Sequence, residues 1–127
     1  GSGTAVLAIL AKKLGSAHTV AIDNDEWAYR NAFTNCELNG ISDIEIVLGD
    51  ALSIKGKFDV VLANINRNIL LRDMHYYADA MNPSAHIFFS GFYTEDLESI
   101  KAEALRCGLH YLRHLSRNNW VAAEFCK

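Results

Sequence analysis

Four short apolar runs constrain the fold more than any other feature. Thr19-Val20-Ala21-Ile22 ends in Asp23, and Ile44-Glu45-Ile46-Val47-Leu48 ends in Gly49-Asp50. Phe58-Asp59-Val60-Val61-Leu62-Ala63 ends in Asn64, and His86-Ile87-Phe88-Phe89 ends in Ser90-Gly91. Each run is too short for a helix, is rich in β-branched or aromatic residues, and is bounded by turn formers, so it reads as a strand. Apolar runs of this kind suit parallel strands covered on both faces.

Helical patterns lie between the runs. Thr4 to Leu14 is expected to be a helix with Val6, Leu10 and Leu14 on one stripe, Lys12 and Lys13 away from it, and Gly15 just past its end. Asp25 is placed to cap the next helix, with Trp27, Phe33 and Cys36 on or near its inner face and Gly40 as its stop. Trp27 reads as a core aromatic, with an adenine pocket as the alternative. Leu70, Met74, Tyr77 and Met81 recur at helical spacing and read as core, ended by Asn82-Pro83. Thr94 is a candidate cap for a last helix with Leu97, Ile100, Ala104 and Cys107 inward and Gly108 as terminator. Two strand-like runs, Leu109 to Arg117 and Trp120 to Phe125, flank Asn118-Asn119, a pair that tolerates positive φ and so predicts a hairpin. Strands alternating with helices and then a hairpin predict an α/β fold, a mostly parallel sheet with an antiparallel C-terminal edge.

The 127 residues suit one domain, and with half of them hydrophobic and 21% charged the chain can bury a core. A formal charge of −3 gives no basic footprint, so direct nucleic-acid binding is not expected. Cys36, Cys107 and Cys126 are odd in number and form no CxxC pair, which reads as reduced thiols in a cytoplasmic protein. No apolar run is long enough to span a bilayer, and no membrane partner is expected. His110 and His114 fall on one strand face without an evident third ligand, so no metal site is expected. Arg67 and Arg72 read as solvated, retained as candidates for substrate contact.

Ligands of open parallel sheets bind beyond the carboxyl ends of the strands. Asp23, Asp50, Asn64 and Ser90-Gly91 stand there. Gly1-Ser2-Gly3 turns directly into a helix whose first N–H groups are free, and Asp23 follows Gly3 by about 20 residues, the interval between a glycine turn and a ribose-binding carboxylate in nucleotide-binding Rossmann-like folds. Each residue also has a plain structural reading. Asp23 could start an Asx turn, Asp50 could cap a short helix, and Asn64 could cap the helix beyond it. As site residues, Asp23 would accept hydrogen bonds from ribose hydroxyls, Asp50 one from an adenine amino group, and Asn64 would offer an acceptor and a donor at the cleft mouth.

Gly1-Ser2-Gly3-Thr4-Ala5-Val6-Leu7-Ala8-Ile9 and Val20-Ala21-Ile22-Asp23-Asn24-Asp25 resemble the first two motifs of class I S-adenosylmethionine-dependent methyltransferases. Asn35-Cys36-Glu37-Leu38-Asn39-Gly40, Phe58 to Ile65, Asn66-Arg67-Asn68-Ile69-Leu70, Phe89-Ser90-Gly91-Phe92-Tyr93 and Asn119-Trp120-Val121-Ala122 narrow the resemblance to the methyltransferases of ribosomal protein L-eleven. It covers essentially the whole chain, with Asn64-Ile65 as its most specific part. It implies a seven-stranded Rossmann-like sheet and S-adenosyl-L-methionine as cofactor. Cofactor contacts are implied at Gly1, Gly3, Thr4, Asp23, Asn24, Asp50 and Ala51, with Asn64 at the catalytic cleft. The implied activity is transfer of a methyl group to lysine or N-terminal amines of a ribosomal protein.

Two positions depart from the family pattern: Ala5 replaces a frequent glycine, and Asn24 stands where an apolar residue usually packs on adenine. The resemblance further implies that residues 1–127 form an N-terminally incomplete catalytic domain, with the first strand and the substrate-recognition domain missing from this sequence. The strands ending at Asp23 and Asn64 would then each present an unpaired edge. Gly1-Ser2-Gly3 is either a native loop or a cloning scar. The alternatives are a methyltransferase of RNA or of a small molecule, or a cofactor-binding fragment without activity. A nicotinamide dehydrogenase fits less well, because the turn reads GxGxA and not GxGxxG.

Overall fold

Helices and strands alternate from Val6 to Arg106, and the chain closes on a hairpin. The computed structural model describes all residues, 1–127, and divides them into two units, Gly1–Ser53 and Ile54–Lys127.

The first unit holds α1 (Val6–Lys13), β1 (Thr19–Asp23), α2 (Glu26–Leu38), β2 (Ile44–Leu48) and a 3-10 turn at Ala51–Ser53. β1 and β2 pair in parallel, from Thr19 opposite Ile44 to Asp23 opposite Leu48. Their core is made of small residues: Ala5, Ile9, Ala21, Ala32 and Cys36 are buried, with Ala8, Ile41, Ile44 and Ile46 packed on them. Small side chains let a helix backbone lie close to a strand, and this overturns two expectations. In α1 the buried residue is Ile9, following Ala5 at the cap, whereas Val6, Leu10 and Leu14 are exposed. In α2 the inner stripe is Ala28, Ala32 and Cys36. Phe33 is half exposed and Trp27 is 68% exposed, so Trp27 is not a core aromatic. Asp25 caps α2 as expected, its side chain accepting from the Trp27 amide at 3.2 Å. Gly40, at φ 68°, ends it.

The second unit holds β3 (Phe58–Asn64), α3 (Arg67–Asp79), β4 (Met81–Tyr93), a 3-10 turn at Thr94–Asp96, α4 (Leu97–Arg106), β5 (His110–Arg117) and β6 (Trp120–Cys126). The strand order is β3-β4-β6-β5, parallel between β3 and β4 and antiparallel for the other two pairs. Leu70, Met74 and Tyr77 of α3, Ile100 and Ala104 of α4, Ile87 and Phe89 of β4, and Ala123 and Phe125 of β6 are buried. Fully burying such a large side chain contributes about 1.5–3 kcal/mol. The Phe89 and Phe125 rings lie 5.4 Å apart.

Two details of this unit depart from the sequence expectation, and a third was not anticipated. Helix α3 ends at Asp79, and Met81 and Asn82-Pro83 belong to β4, where the pairing with β3 is irregular and a missing amide donor is tolerated. Thr94 opens a 3-10 turn instead of capping α4, whose N-cap position falls to Asp96. Glu124, nearly buried on β6, accepts from His86 Nδ1 of β4 at 2.7 Å and faces Arg113 Nε of β5 at 2.8 Å, tying three strands. The hairpin forms as expected, with Asn118 and Asn119 at φ 51° and 68°.

The six strands form two sheets, β1-β2 and β3-β4-β6-β5. β1 pairs only with β2, and β3 pairs only with β4, so each keeps one edge of N–H and C=O groups without a strand partner.

Candidate active site

In the first unit the site is built on the turn before α1. The Gly1 and Ser2 nitrogens both donate to the Ile22 carbonyl at 2.8 Å, which fixes the turn to the end of β1. Gly3 sits at φ 58°, and no atom lies within 4 Å of where a Cβ would be, so the turn presents open backbone. Its amide donates to Asp23 Oδ2 at 2.8 Å. Ala5 follows at φ 66°, a left-handed conformation in which a glycine would be relaxed, and its carbonyl accepts from Ile9 as α1 begins. A methyl there is tolerated because it is fully buried in the unit's core.

Asp23 ends β1 with 9% of its surface exposed. Oδ1 accepts the Asp25 amide at 2.9 Å, which is the Asx turn anticipated from the sequence, and Oδ2 accepts Gly3. Burial works against the charge, the hydrogen bonds from the Asp25 and Gly3 amides favour it, and the carboxyl lies below the usual aspartate value. Each oxygen uses one lone pair on these bonds. The carboxylate therefore retains two acceptor positions for donors such as a pair of hydroxyls.

The Asp23 carbonyl accepts from the Gly49 amide at 2.9 Å, bringing the end of β2 beside the end of β1. Asp50 caps the short 3-10 turn, Oδ1 accepting from Leu52 at 3.0 Å. This is its plain structural role, and its side chain is exposed. Gly49 is closely packed: a Cβ there would meet Ser53 Oγ at 2.1 Å and Ser53 Cβ at 2.7 Å. The Thr4 carbonyl accepts from Asn35 Nδ2 at 3.0 Å, while Asn24 is exposed and Ala51 is half-buried in the 3-10 turn. Gly1, Gly3, Thr4, Asp23, Asn24, Asp50 and Ala51 thus all fall in one unit, at the glycine turn and the carboxyl ends of β1 and β2.

In the second unit Asn64 is the last residue of β3 and is exposed. It does not cap α3. That task belongs to Asn66, whose backbone is extended at φ −63°, ψ 157° and whose Oδ1 accepts from the Ile69 amide at 3.1 Å. The rival reading of Asn64 is therefore excluded by a residue the sequence reading passed over. The following Ile65 amide donates to the Ser90 carbonyl at 3.0 Å. Both arginines are solvent-exposed, as expected, and each is paired: Arg67 with Asp96 at 2.8 Å and Arg72 with Asp73 at 2.7 Å. His114 Nδ1 lies 2.6 Å from the Tyr111 hydroxyl on an exposed edge strand. No group of three or more metal-ligating side chains occurs.

The whole chain, residues 1–127, matches the family model described as Ribosomal protein L11 methyltransferase (PrmA). It belongs to that family. A ribosomal protein L11 methyltransferase of Bacteroides fragilis is 50% identical over 127 residues, covering 98% of this chain and 45% of that protein. One from Bacteroides thetaiotaomicron is 47% identical with the same coverage. The chain thus spans less than half the length of these relatives. The crystal structure of a ribosomal protein L11 methylase from Lactobacillus delbrueckii subsp. bulgaricus superposes with a TM-score of 0.95 at 28% identity, over 98% of this chain and 66% of that one. The Rossmann-like fold expected from the strand and helix pattern is therefore shared with this solved L11 methylase. Asp23 ends β1 in the first unit and Asn64 ends β3 in the second, and parallel sheets take ligands beyond such carboxyl ends.

Proposed function

We propose that the chain is the catalytic domain of a protein N-methyltransferase that transfers a methyl group from S-adenosyl-L-methionine to amino groups of ribosomal protein L11. The observation that carries the reading is the Gly3 amide bonded to the buried Asp23 carboxylate at 2.8 Å, in a chain matched over its full length by the L11 methyltransferase family.

The residues present fit the cofactor. Open space over Gly3 lets a ligand approach the backbone, and the two acceptor positions left on Asp23 match the two hydroxyls of a ribose. Free N–H groups at the start of α1 add a positive dipole end. When bound, S-adenosylmethionine supplies an electrophilic methyl on a sulfonium. Gly1, Gly3 and Thr4 would hold it by backbone contacts, Asp23 by the ribose, and Asn24, Asp50 and Ala51 on the adenine side.

Asn64 orients the nucleophile. Its side chain is spared from capping α3, and its amide can accept an N–H of the incoming amine, directing the lone pair. Catalysis on this reading is mainly positioning. A lysine amine must first lose its proton, since its reference pKa is about 10.4. No side chain of the site is assigned that task, and water serves as acceptor. Three free cysteines support a reducing, cytoplasmic setting. On this reading the rest of a full-length protein supplies substrate recognition.

The test is methyl transfer by the full-length protein from radiolabelled S-adenosylmethionine to purified ribosomal protein L11. Label in L11 lysines or its N-terminal amine supports the proposal. Label appearing only in RNA or in small molecules would transfer the chain to the alternative class.

A further inference from the structure

We propose that Gly91 is a positioning residue for Asn64, and that only a hydrogen at its α-carbon leaves room for the Asn64-Ile65 turn. The inference rests on the reading of Asn64 as the residue that orients the amine. Gly91 is the extra residue of a bulge in β4. Ser90 pairs with Ala122 and Phe92 with Val121, so Gly91 has no partner on β6. On its other side β4 runs parallel to β3, with Asn64 opposite Ser90 as the last pair of the ladder. The bulge thus lies where β3 ends and the chain turns toward α3.

The fit there is close. A Cβ on Gly91 would lie 2.8 Å from Asn64 Oδ1, 2.9 Å from the Ile65 carbonyl oxygen and 3.0 Å from the Ile65 nitrogen. Two of these three atoms are backbone and cannot swing aside as a side-chain tip would. The turn is also held at both ends. Ile65 N–H donates to the Ser90 carbonyl at 3.0 Å, and Arg67, the first residue of α3, is paired with Asp96 at 2.8 Å. A methyl at residue 91 would therefore push against a segment tethered on both sides. The side chain of Asn64 would be displaced. Bulges commonly re-aim a side chain beside an active site, and this one supplies the space in which Asn64 is set.

Gly91 also has φ +90°, so any substitution strains the backbone. Gly108 provides the control, with φ +80° and nothing within 4 Å of its Cβ position. Gly91→Ala and Gly108→Ala impose similar strain, but only the first crowds Asn64.

The experiment uses the full-length enzyme and measures kcat, S-adenosylhomocysteine Kd and melting temperature for Gly91→Ala, Gly108→Ala, Asn64→Ala and the Gly91→Ala/Asn64→Ala pair. Gly91→Ala is expected to lower kcat by about 100-fold, the size of loss a misplacement near 1 Å causes, with Kd within about twofold of wild type. Gly108→Ala is expected to lower the melting temperature and leave kcat in place. The double variant is expected to turn over no more slowly than Asn64→Ala alone, because Gly91 acts through Asn64.

A normal kcat for Gly91→Ala beside a slow Asn64→Ala overturns the role of Gly91 alone. So does an equal loss in Gly108→Ala, or multiplicative losses in the double variant. A normal kcat for Asn64→Ala overturns the reading of Asn64 itself, and the role of Gly91 with it. Should Gly91→Ala not fold, wild-type NMR decides. A strong cross-relaxation peak between a Gly91 α-proton and the Ile65 amide proton supports the packing, and its absence overturns it.

Discussion

Substituting Asn64 and Asn66 separately should divide catalysis from stability across two residues of the same turn. Asn66 caps α3, with its side chain accepting from Ile69 at 3.1 Å. Asn66→Ala leaves that amide without its partner, a loss of about 1 kcal/mol. In a full-length protein of the relatives' size, more than twice the length of this chain, this lowers the melting temperature by about 2 °C. Asn64 is exposed and caps nothing, so Asn64→Ala should change stability by no more than about 0.5 kcal/mol. On the proposed reading, in which Asn64 orients the amine, its effect should appear in kcat, on the order of 100-fold. Cofactor affinity should be nearly unchanged. Thermal melts and steady-state kinetics on the two full-length variants make the comparison. The reasoning is refuted if Asn64→Ala melts as low as Asn66→Ala while turning over at the wild-type rate.

Asp23 should contribute acid-sensitive stability. Its carboxyl titrates below the 3.8 of the unfolded chain, so the contribution is present above that value and is lost as pH falls through the lower folded value. Acid unfolding of Asp23→Asn should therefore show a shallower dependence on pH below about 4 than wild type, and parallel curves would count against the assignment. Gly49→Ala should displace Ser53, because the new methyl would lie 2.1 Å from its Oγ and 2.7 Å from its Cβ. Adding Ser53→Gly should recover most of the lost stability and cofactor affinity in the same protein. Failure of that rescue would show that the crowding is not what makes glycine necessary at residue 49.

The order of elements was legible because the signals are local and chemically distinct. Short β-branched runs ended on Asp23, Asp50, Asn64 and Ser90, glycines at 40 and 108 closed helices, and the Asn118-Asn119 pair turned the hairpin. The inner faces of the first two helices were not legible. The sequence from Ala5 to Ala11 is apolar all round, so periodicity could not choose between the Ala5–Ile9 stripe and the Val6–Leu10–Leu14 stripe. In α2, close approach to the strands favours Ala28 and Ala32, and hydrophobic weight alone pointed to Trp27 and Phe33 instead. Leu70 to Tyr77 was readable because large apolar residues there face a roomier core.

The candidate site divided along the same line. Gly3 and Asp23 were found from their spacing, and their hydrogen bond realises it. The choice between cap and site at Asn64 could not be made from sequence, since Asn64 and Asn66 are both good caps and only the backbone shows which one precedes the helix. Gly49 and Gly91 were legible only as strand-end residues, without the crowding that each meets in the fold. An added Cβ would meet atoms brought near by folding, Ser53 in one case and Asn64-Ile65 in the other.

Calorimetric titration of S-adenosylhomocysteine into full-length wild-type protein and its Asp23→Ala variant measures what Asp23 contributes to cofactor binding. Wild type should bind at one site per chain. The variant should lose at least about tenfold in affinity, since removing the carboxylate strips a charged acceptor from the ribose. Equal affinity for both proteins, or no binding by wild type, would contradict the assignment of the glycine turn and Asp23 as the cofactor site.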